Sequence, residues 1–256
     1  MKIAKFFLVL SFVFLYGSSM GFGVLIAHYQ FEGNALDSSG NNFDGIIEGS
    51  GTTYIPGKFG QAISFDGNGW VRVPDAPGLD LGTGDFTIAL WVSFSNHSGE
   101  QVLIEKCKGT CANAYWTIST FEAGGNSRKL HFNGGFPRKT SSPQDFGINE
   151  FHHIAWTRSG TTWTTYFDGI NIMTHTYSGD LSAPNISLYM GRRNPWDGRN
   201  FNLKGSLDDV RIYNHALSES EIQSLINIPE PANFLLVFGI LFLFLWKRKK
   251  SDFRAY

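Results

Sequence analysis

Short runs of alternating apolar and polar residues recur along most of the chain. Examples are AISFDG from Ala62, WVRVP from Trp70 and FTIALWVSF from Phe86. The same pattern returns in YWTISTF, LHFNG, FHHIAWTR, WTTYFDG, ISLYMGR and LDDVRIYN. Such runs, rich in β-branched and aromatic residues, are typical of strands with one face in a core. Glycine-rich turns such as SSGNN, PGKFG and DGNG separate them, so the pattern predicts one all-β domain, a two-sheet sandwich or jelly roll.

One segment near the C-terminus has a helical pattern instead. In SESEIQSLIN, Ser218 is placed to cap the helix N-terminus, and Glu221 stands three residues later. This spacing is a capping box, in which each side chain bonds the other residue's backbone N–H. We therefore predict a single short helix after Leu217.

The first 23 residues have the layout of a secretory signal peptide. Lys2 and Lys5 precede the apolar run 6–16, which is followed by the small residues 17–19. Cleavage fits after Ser19 or after Gly23, and we favour Gly23 because VLIAHYQFEG already alternates as a strand. Such a signal implies passage through the Sec translocon and processing by signal peptidase.

The other end of the chain, residues 228–250, has a second targeting pattern. It consists of Pro229, Glu230 and Pro231, an apolar helix over 232–246, and the basic cluster Lys247, Arg248, Lys249 and Lys250. The apolar run from Phe234 would give about 20 Å of helix, which is short for a hydrocarbon core near 30 Å. The basic flank predicts a cytoplasmic tail at 251–256, with the domain on the other side of the membrane.

This layout resembles the PEP-CTERM sorting signal. The resemblance implies processing by an exosortase-type peptidase in the inner membrane, then release or attachment at the cell surface of a Gram-negative bacterium. The tail SDFRAY is longer than that family usually shows, which leaves an ordinary single-span anchor as the alternative.

The formal net charge of −1 is a sum over the predicted domain and the basic N- and C-terminal targeting segments. Residues 24–231 alone carry 14 basic and 21 acidic side chains, a net charge of −7. This balance disfavours phosphate contacts, and with them nucleic-acid binding. The chain has two cysteines, Cys107 and Cys111, and outside the cytoplasm such a close pair predicts a disulfide that pins a hairpin tip. Zinc would need further ligands nearby, which the sequence does not supply.

Ordered blocks over the whole domain resemble a known family. They are LIAHYQFEGNALDSSGNNFDG, FGQAISFDGNGWVRVP, DFTIALWVSF, EFHHIAWTRSGTTWTTYFDGINI, LYMGRR and GSLDDVRIYNHALSESEIQSL. Together they are similar to laminin-G-like, concanavalin A-like jelly-roll domains. The resemblance covers residues 25–226 within a predicted domain of 24–227, and it implies two stacked antiparallel sheets and often a structural calcium ion.

We predict no catalysis. Glycosidases of this fold carry a Glu-x-Asp-x-Glu run on one strand face, which suits glycoside hydrolysis, and the chain lacks such a run. Strand alternation would point Asp208 and Asp209 to opposite faces, and Glu100 and Glu105 have no evident partner. Alternation would also separate His152 and His153, one ring inwards and one outwards, so they could not hold one metal together.

The resemblance places calcium at Asp208, on the last long strand. The predicted neighbours, which would supply the oxygen ligands calcium prefers, are Glu32, Asn34, Asp37 and Asn68. The alternative is that Asp208 and Asp209 only bond turns and pair with Arg211 or Lys204.

Seven tryptophans suggest aromatic platforms for sugar rings. The segment GRRNPWDGRN gives the candidates Arg193, Trp196 and Asp197, and the segments near the cysteines and at NGGFPRKT add Tyr115, Trp116 and Phe136. The sequence therefore predicts an exported, non-catalytic surface or matrix protein that binds carbohydrate, with exopolysaccharide as the expected ligand. The alternatives are a structural or adhesive matrix protein without a sugar site and a glycoside hydrolase.

Overall fold

A computed structural model describes residues 24–107, 116–121, 128–134, 139–195, 198 and 200–227. The predicted signal peptide and sorting signal lie outside these residues. Among the described residues, no helix is both long and apolar enough to cross a membrane. The predicted helix over 232–246 is not among them.

The described chain is almost entirely β-structure. Its strands are β1 Leu25–Tyr29, β2 Ile46–Gly49, β3 Thr52–Pro56, β4 Gln61–Asp66, β5 Gly69–Val73, β6 Phe86–Phe94, β7 Val102–Lys106, β8 Trp116–Phe121, β9 Lys129–Gly134, β10 Lys139–Pro143, β11 Phe151–Ser159, β12 Thr162–Phe167, β13 Ile170–Thr176, β14 Leu188–Met190 and β15 Lys204–Tyr213. A 3-10 turn, Pro77–Leu79, and one helix, α1 Glu219–Ile226, complete it.

The strands form two antiparallel sheets. Sheet A has the order β13-β12-β11-β6-β15-β4-β3, with β1 also paired to β15, and sheet B has the order β10-β9-β8-β7-β14-β5-β2. The main core lies between them, where residues such as Ile88, Leu90 and Val92 of sheet A meet Ile104 and Ile118 of sheet B. The predicted all-β sandwich is confirmed.

The predicted helix is also confirmed, together with its cap. The hydroxyl of Ser218 accepts the backbone N–H of Glu221, and the Glu221 carboxylate accepts the backbone N–H of Ser218 at 2.8 Å. The helix buries Ile222 against the outer face of sheet A, beside Ala89 and Ala155. The helix thereby covers part of this outer face, and β6 is buried at all nine of its positions.

Strand β15 changes partner halfway along its length. Its first half pairs with β4 and its second half with β1, and the register against β6 shifts between Asp208 and Arg211. At this bulge Asp209 has a φ of 48°, in the left-handed region that aspartate tolerates better than most residues.

Candidate functional site

An open cleft of about 460 Å³ lies where three loops meet at one end of the sandwich. The loops are the β4–β5 turn, the β6–β7 loop and the segment leading into β15. The described lining is Gly67, Asn68, Ser98, Gly99, Glu100, Gln101, Asn200, Phe201, Asn202 and Lys204. Most of this surface is polar, and its hydrophobic part includes the ring of Phe201.

Two amide groups, the buried Gln101 and the partly buried Asn202, hold the walls of the cleft together. Gln101 accepts the backbone N–H of Lys204 at 2.8 Å and donates from Nε2 to the carbonyl of Asn96 at 3.0 Å. Asn202 donates from Nδ2 to the carbonyl of Gly67 at 2.7 Å. These bonds join all three loops, so the cleft is formed before any ligand arrives, which lowers the entropic cost of binding.

Other polar side chains in the lining are not used by the fold. The side chains of Asn68, Ser98 and Asn200 and the ammonium group of Lys204 make no hydrogen bond or ion pair with the described residues. All four residues are exposed. The cleft therefore offers amide, hydroxyl and ammonium groups beside a partly buried phenylalanine ring, the mixture that binds a polyhydroxylated ligand.

The cleft lining includes Asn200 and Phe201, which follow the predicted platform segment closely in the sequence. The chain reaches Asn200 and Phe201 directly from GRRNPWDGR, although Trp196 and Asp197 themselves lie outside the described residues. Arg193 is only 5% exposed, and its guanidinium lies 5.4 Å from the centre of the Phe201 ring. Arg193 therefore supports the ring from within the protein instead of presenting its charge to solvent.

Of the other aromatic candidates, the structure describes only Trp116. Trp116 is fully buried in the core between the sheets, so its predicted role as an exposed platform is wrong. The Trp116 side chain lies on the inner face of β8, and the sequence alone did not indicate which face it occupies. Tyr115 and Phe136 lie outside the described residues, as does Cys111. Cys107 is fully buried at the end of β7, and its pairing with Cys111 stays a prediction.

Glu100 and Glu105, which have no evident partner in the sequence, both have partners in the fold. Glu105 is fully buried and accepts hydrogen bonds from the Thr117 hydroxyl and the Asn194 backbone N–H, each at 2.9 Å. Glu100 accepts a bond from the Ser119 hydroxyl at 3.2 Å. Glu105 thus anchors the segment that leads into the cleft, because it bonds the backbone of Asn194 to β8.

The expectation that Asp208 and Asp209 face opposite sides of their strand is wrong. Their flanking residues Leu207 and Val210 both point into the core, so the bulge places both carboxylates on the outer face of sheet A. Asp209 lies 2.6 Å from Nε2 of His28 and 2.9 Å from Arg211. The Arg211 pair that the sequence offered as an alternative to calcium is therefore present at Asp209.

Both carboxyl groups are buried, but their surroundings differ. Burial, together with the neighbouring charge of Asp209, raises the pKa of Asp208 to about 7. Burial by itself would raise the pKa of Asp209. Hydrogen bonding from His28 and the charge of Arg211 outweigh burial and lower the pKa of Asp209. Since Asp208 is fully buried and Asp209 only 7% exposed, the two have no cleft in which to act on a substrate.

Asp208 uses only part of its hydrogen-bonding capacity within the described residues. One carboxylate oxygen accepts the backbone N–H of Phe59 at 2.9 Å, while Oδ1 is buried and has no hydrogen-bond partner in the described part of the chain. Glu32 lies against the same turn, where its Oε1 accepts the N–H of Gln61 at 3.1 Å. Both carboxylates therefore bond backbone N–H groups of the 57–61 turn, Asp208 at Phe59 and Glu32 at Gln61.

The other predicted calcium neighbours are engaged elsewhere. The carboxylate of Asp37 accepts the backbone N–H groups of His28, Ser39 and Phe43. Asn34 bonds within its own turn, and Asn68 lines the cleft. Over the part of the chain that the structure describes, no three His, Cys, Asp or Glu side chains are grouped to hold a metal.

His152 and His153 point to opposite sides of β11, as predicted. His152 stacks on Phe167 at 5.0 Å and lies 2.8 Å from Asp168. His153 packs against Trp91 on the outer face, and burial lowers its pKa to about 4. The two rings therefore serve packing and hydrogen bonding on separate faces of the sheet.

The architecture defines a lectin-like antiparallel sandwich with a polar cleft at one end. The family model described as the concanavalin A-like lectin/glucanases superfamily, Laminin_G_3, matches residues 65–223, and the chain belongs to that family. The search of curated proteins found no match.

Several solved structures share the fold. Domain 4 of AbnA, an extracellular GH43 arabinanase from Geobacillus stearothermophilus solved with arabinotriose, is 25% identical with a TM-score of 0.65, covering 80% of this chain and 99% of that one. The binding domain of Paraclostridial Mosquitocidal Protein 1 is 22% identical with a TM-score of 0.64, covering 79% and 52%. A structure of botulinum neurotoxin type C, a toxin whose cell entry depends on interaction with two ganglioside molecules, is 18% identical with a TM-score of 0.60. The match covers 80% of this chain and 51% of that one. The chain spans about half the length of these two toxin structures, and at such identities they show the fold alone.

Proposed function

We propose that this protein is a non-catalytic carbohydrate-binding module that takes its glycan in the cleft at the β6–β7 loop. The observation that carries the proposal is the set of unused polar side chains, Asn68, Ser98, Asn200 and Lys204, beside the Phe201 ring. Amides and hydroxyls can bond sugar hydroxyls, and an aromatic face can stack on a sugar ring. The arabinotriose bound to domain 4 of AbnA supports a sugar ligand for this fold.

A glycan-array screen of the purified full-length chain tests this function. We expect selective binding that falls at least tenfold in Phe201→Ala and in the double variant Asn68→Ala/Asn200→Ala. Gln223→Ala, an exposed change on α1, serves as the control and should bind as the parent does. A folded protein that binds no glycan would contradict the proposal and favour a structural or adhesive matrix role.

We further propose that the protein is exported and sorted through its C-terminal signal. The N-terminal signal peptide and the Pro-Glu-Pro motif, apolar run and basic cluster of 228–250 support this route. It would end at the cell surface or extracellular matrix of a Gram-negative bacterium after exosortase processing. Mass spectrometry of the cell-surface fraction should find a chain beginning between residues 20 and 24 and lacking residues 232–256, whereas an intact C-terminus would indicate a permanent anchor.

A structural calcium ion at Asp208 and Glu32 is the third part of the proposal. The unpaired buried oxygen of Asp208 supports it, and an ion there would stabilise the 57–60 turn against β15. Calorimetric titration of EDTA-treated protein should show calcium binding that is lost in Asp208→Asn. Asp145→Asn, at a 91% exposed side chain, is the matched control.

A further inference from the structure

Lys204 stands out in the cleft because its ammonium group pairs with no carboxylate among the described residues. Arg72, Lys106 and Arg211 each pair with a carboxylate at 2.6–2.9 Å. Lys204 forms no ion pair with any described residue and is exposed at the cleft lining. A positive charge placed in a cleft and left unpaired is available to a ligand.

The backbone and the hydrocarbon part of Lys204 are held in place. Its N–H donates to Gln101, and its carbonyl accepts the N–H of Ser95 at 2.9 Å. The aliphatic chain packs over the β4–β5 turn, where a Cβ added to Gly67 would lie 3.1 Å from Cε of Lys204. Packing of the stem lowers the entropy that the side chain loses when its ammonium group binds an anion.

Glu100 is the carboxylate in the described lining, and it does not neutralise Lys204. Its Oε1 accepts a hydrogen bond from the Ser119 hydroxyl on β8, and no ion pair joins it to Lys204. The two charges thus belong to different walls of the cleft. An extended ligand could place an anionic group on the lysine wall and hydroxyls on the others.

We propose that the glycan of this cleft is acidic, with a carboxylate or sulfate group bound by the ammonium of Lys204. This inference rests on the function proposed above, because it names the ligand class of the same site. Asn68 and Asn200, the free amides in the lining, bond hydroxyls of the same glycan. A hydrogen bond assisted by charge is stronger than a neutral one, although solvent screens a pair at an exposed site. We expect the anionic group to strengthen binding about three- to tenfold at low salt.

The test uses the full-length chain and an array that carries uronic-acid, sulfated and neutral glycans. The strongest acidic binder is then compared with its carboxyl-reduced or desulfated form. We expect the neutral form to bind about three- to tenfold more weakly, and Lys204→Gln to bind both forms equally. Lys204→Arg should retain the preference, since it keeps the charge, and Lys139→Gln on β10 controls for a general loss of charge.

The outcomes separate this inference from the proposed function. Selective binding of neutral glycans alone, or no effect of removing the anion, would overturn the acidic ligand and leave carbohydrate binding standing. A preference for the acidic form that persists in Lys204→Gln would overturn the role of Lys204. Absence of all glycan binding by the folded protein would overturn both proposals together.

Discussion

The backbone N–H of Lys204 donates to the side-chain oxygen of Gln101 at 2.8 Å, across the cleft between the start of β15 and the start of β7. The same Gln101 side chain donates to the carbonyl of Asn96, and its own backbone N–H donates to Thr120. Gln101 is 2% exposed, so water cannot replace these bonds. Gln101 is therefore the more deeply buried of the two amides that hold the cleft walls together, the other being Asn202.

Replacing Gln101 with leucine should destabilise the protein and open the cleft. The change keeps the volume but leaves the Lys204 N–H and the Asn96 carbonyl without a partner, and it should cost about 2–3 kcal/mol. The midpoint of urea unfolding measures this loss. Gln144→Leu, at a partly exposed residue whose amide bonds Ser142, should change stability by less than about 0.5 kcal/mol. Equal stabilities for the two variants would contradict the bracing role of Gln101.

A second buried network should be more sensitive to substitution. The ammonium of Lys106, fully buried, lies 2.8 Å from Asp75, 2.6 Å from Asp80 and 2.7 Å from the carbonyl of Ala183. Lys106→Met would leave two carboxylates and a carbonyl without their cation, which should destabilise the fold by about 3 kcal/mol or more. Lys129→Met provides the control at a partly exposed site, and denaturant unfolding of both variants is the measurement.

The buried Asp208 should make the calcium-free protein less stable as pH rises. Its folded pKa of about 7 lies above its ordinary value of 3.8, so the folded state holds the proton more tightly than the unfolded chain. The stabilisation from this bound proton is fully present below about pH 4 and is lost as the pH rises through 7. Its full size is at most about 4 kcal/mol of unfolding free energy. Urea unfolding in EDTA at pH 4.5 and 7.5 measures the difference.

Asp208→Asn provides the decisive comparison for this pH dependence. The amide does not titrate. We therefore expect the Asp208→Asn variant to lose much less unfolding free energy between about pH 4.5 and about pH 7.5 than the parent protein loses. Asp145→Asn, at an exposed carboxyl, should retain the full dependence. An unchanged slope in Asp208→Asn would assign the effect to other groups.

The capping box of α1 should contribute modestly. Ser218→Ala removes the hydroxyl that accepts the N–H of Glu221, and loss of such a cap costs about 1 kcal/mol. Ser224→Ala, within the same helix, removes a hydroxyl bonded only to the Ser220 carbonyl and should be nearly neutral. Thermal unfolding followed by circular dichroism compares them, and a Ser224 effect as large as that of Ser218 would argue against the cap.

The fold class and most of the strands could be predicted from the local sequence pattern. Alternation fixes which face of β4, β5 and β11 enters the core, and the spacing of Ser218 and Glu221 fixes the helix start. The strands that the pattern did not indicate lack alternation for physical reasons. All five residues of β7 are buried, whereas the residues of the edge strand β2 are exposed or partly exposed.

The position of the candidate site could not be predicted from the sequence and became clear from the folded chain. The cleft joins segments near residues 68, 100 and 201, and nothing in their local pattern shows that they meet. Trp116 enters the core because of the face that β8 presents, and Asp208 and Asp209 share a face because β15 bulges where it changes partner from β4 to β1. The local sequence pattern indicates which side of a strand is buried. Which distant residues come into contact depends on how the strands pair in the sheets.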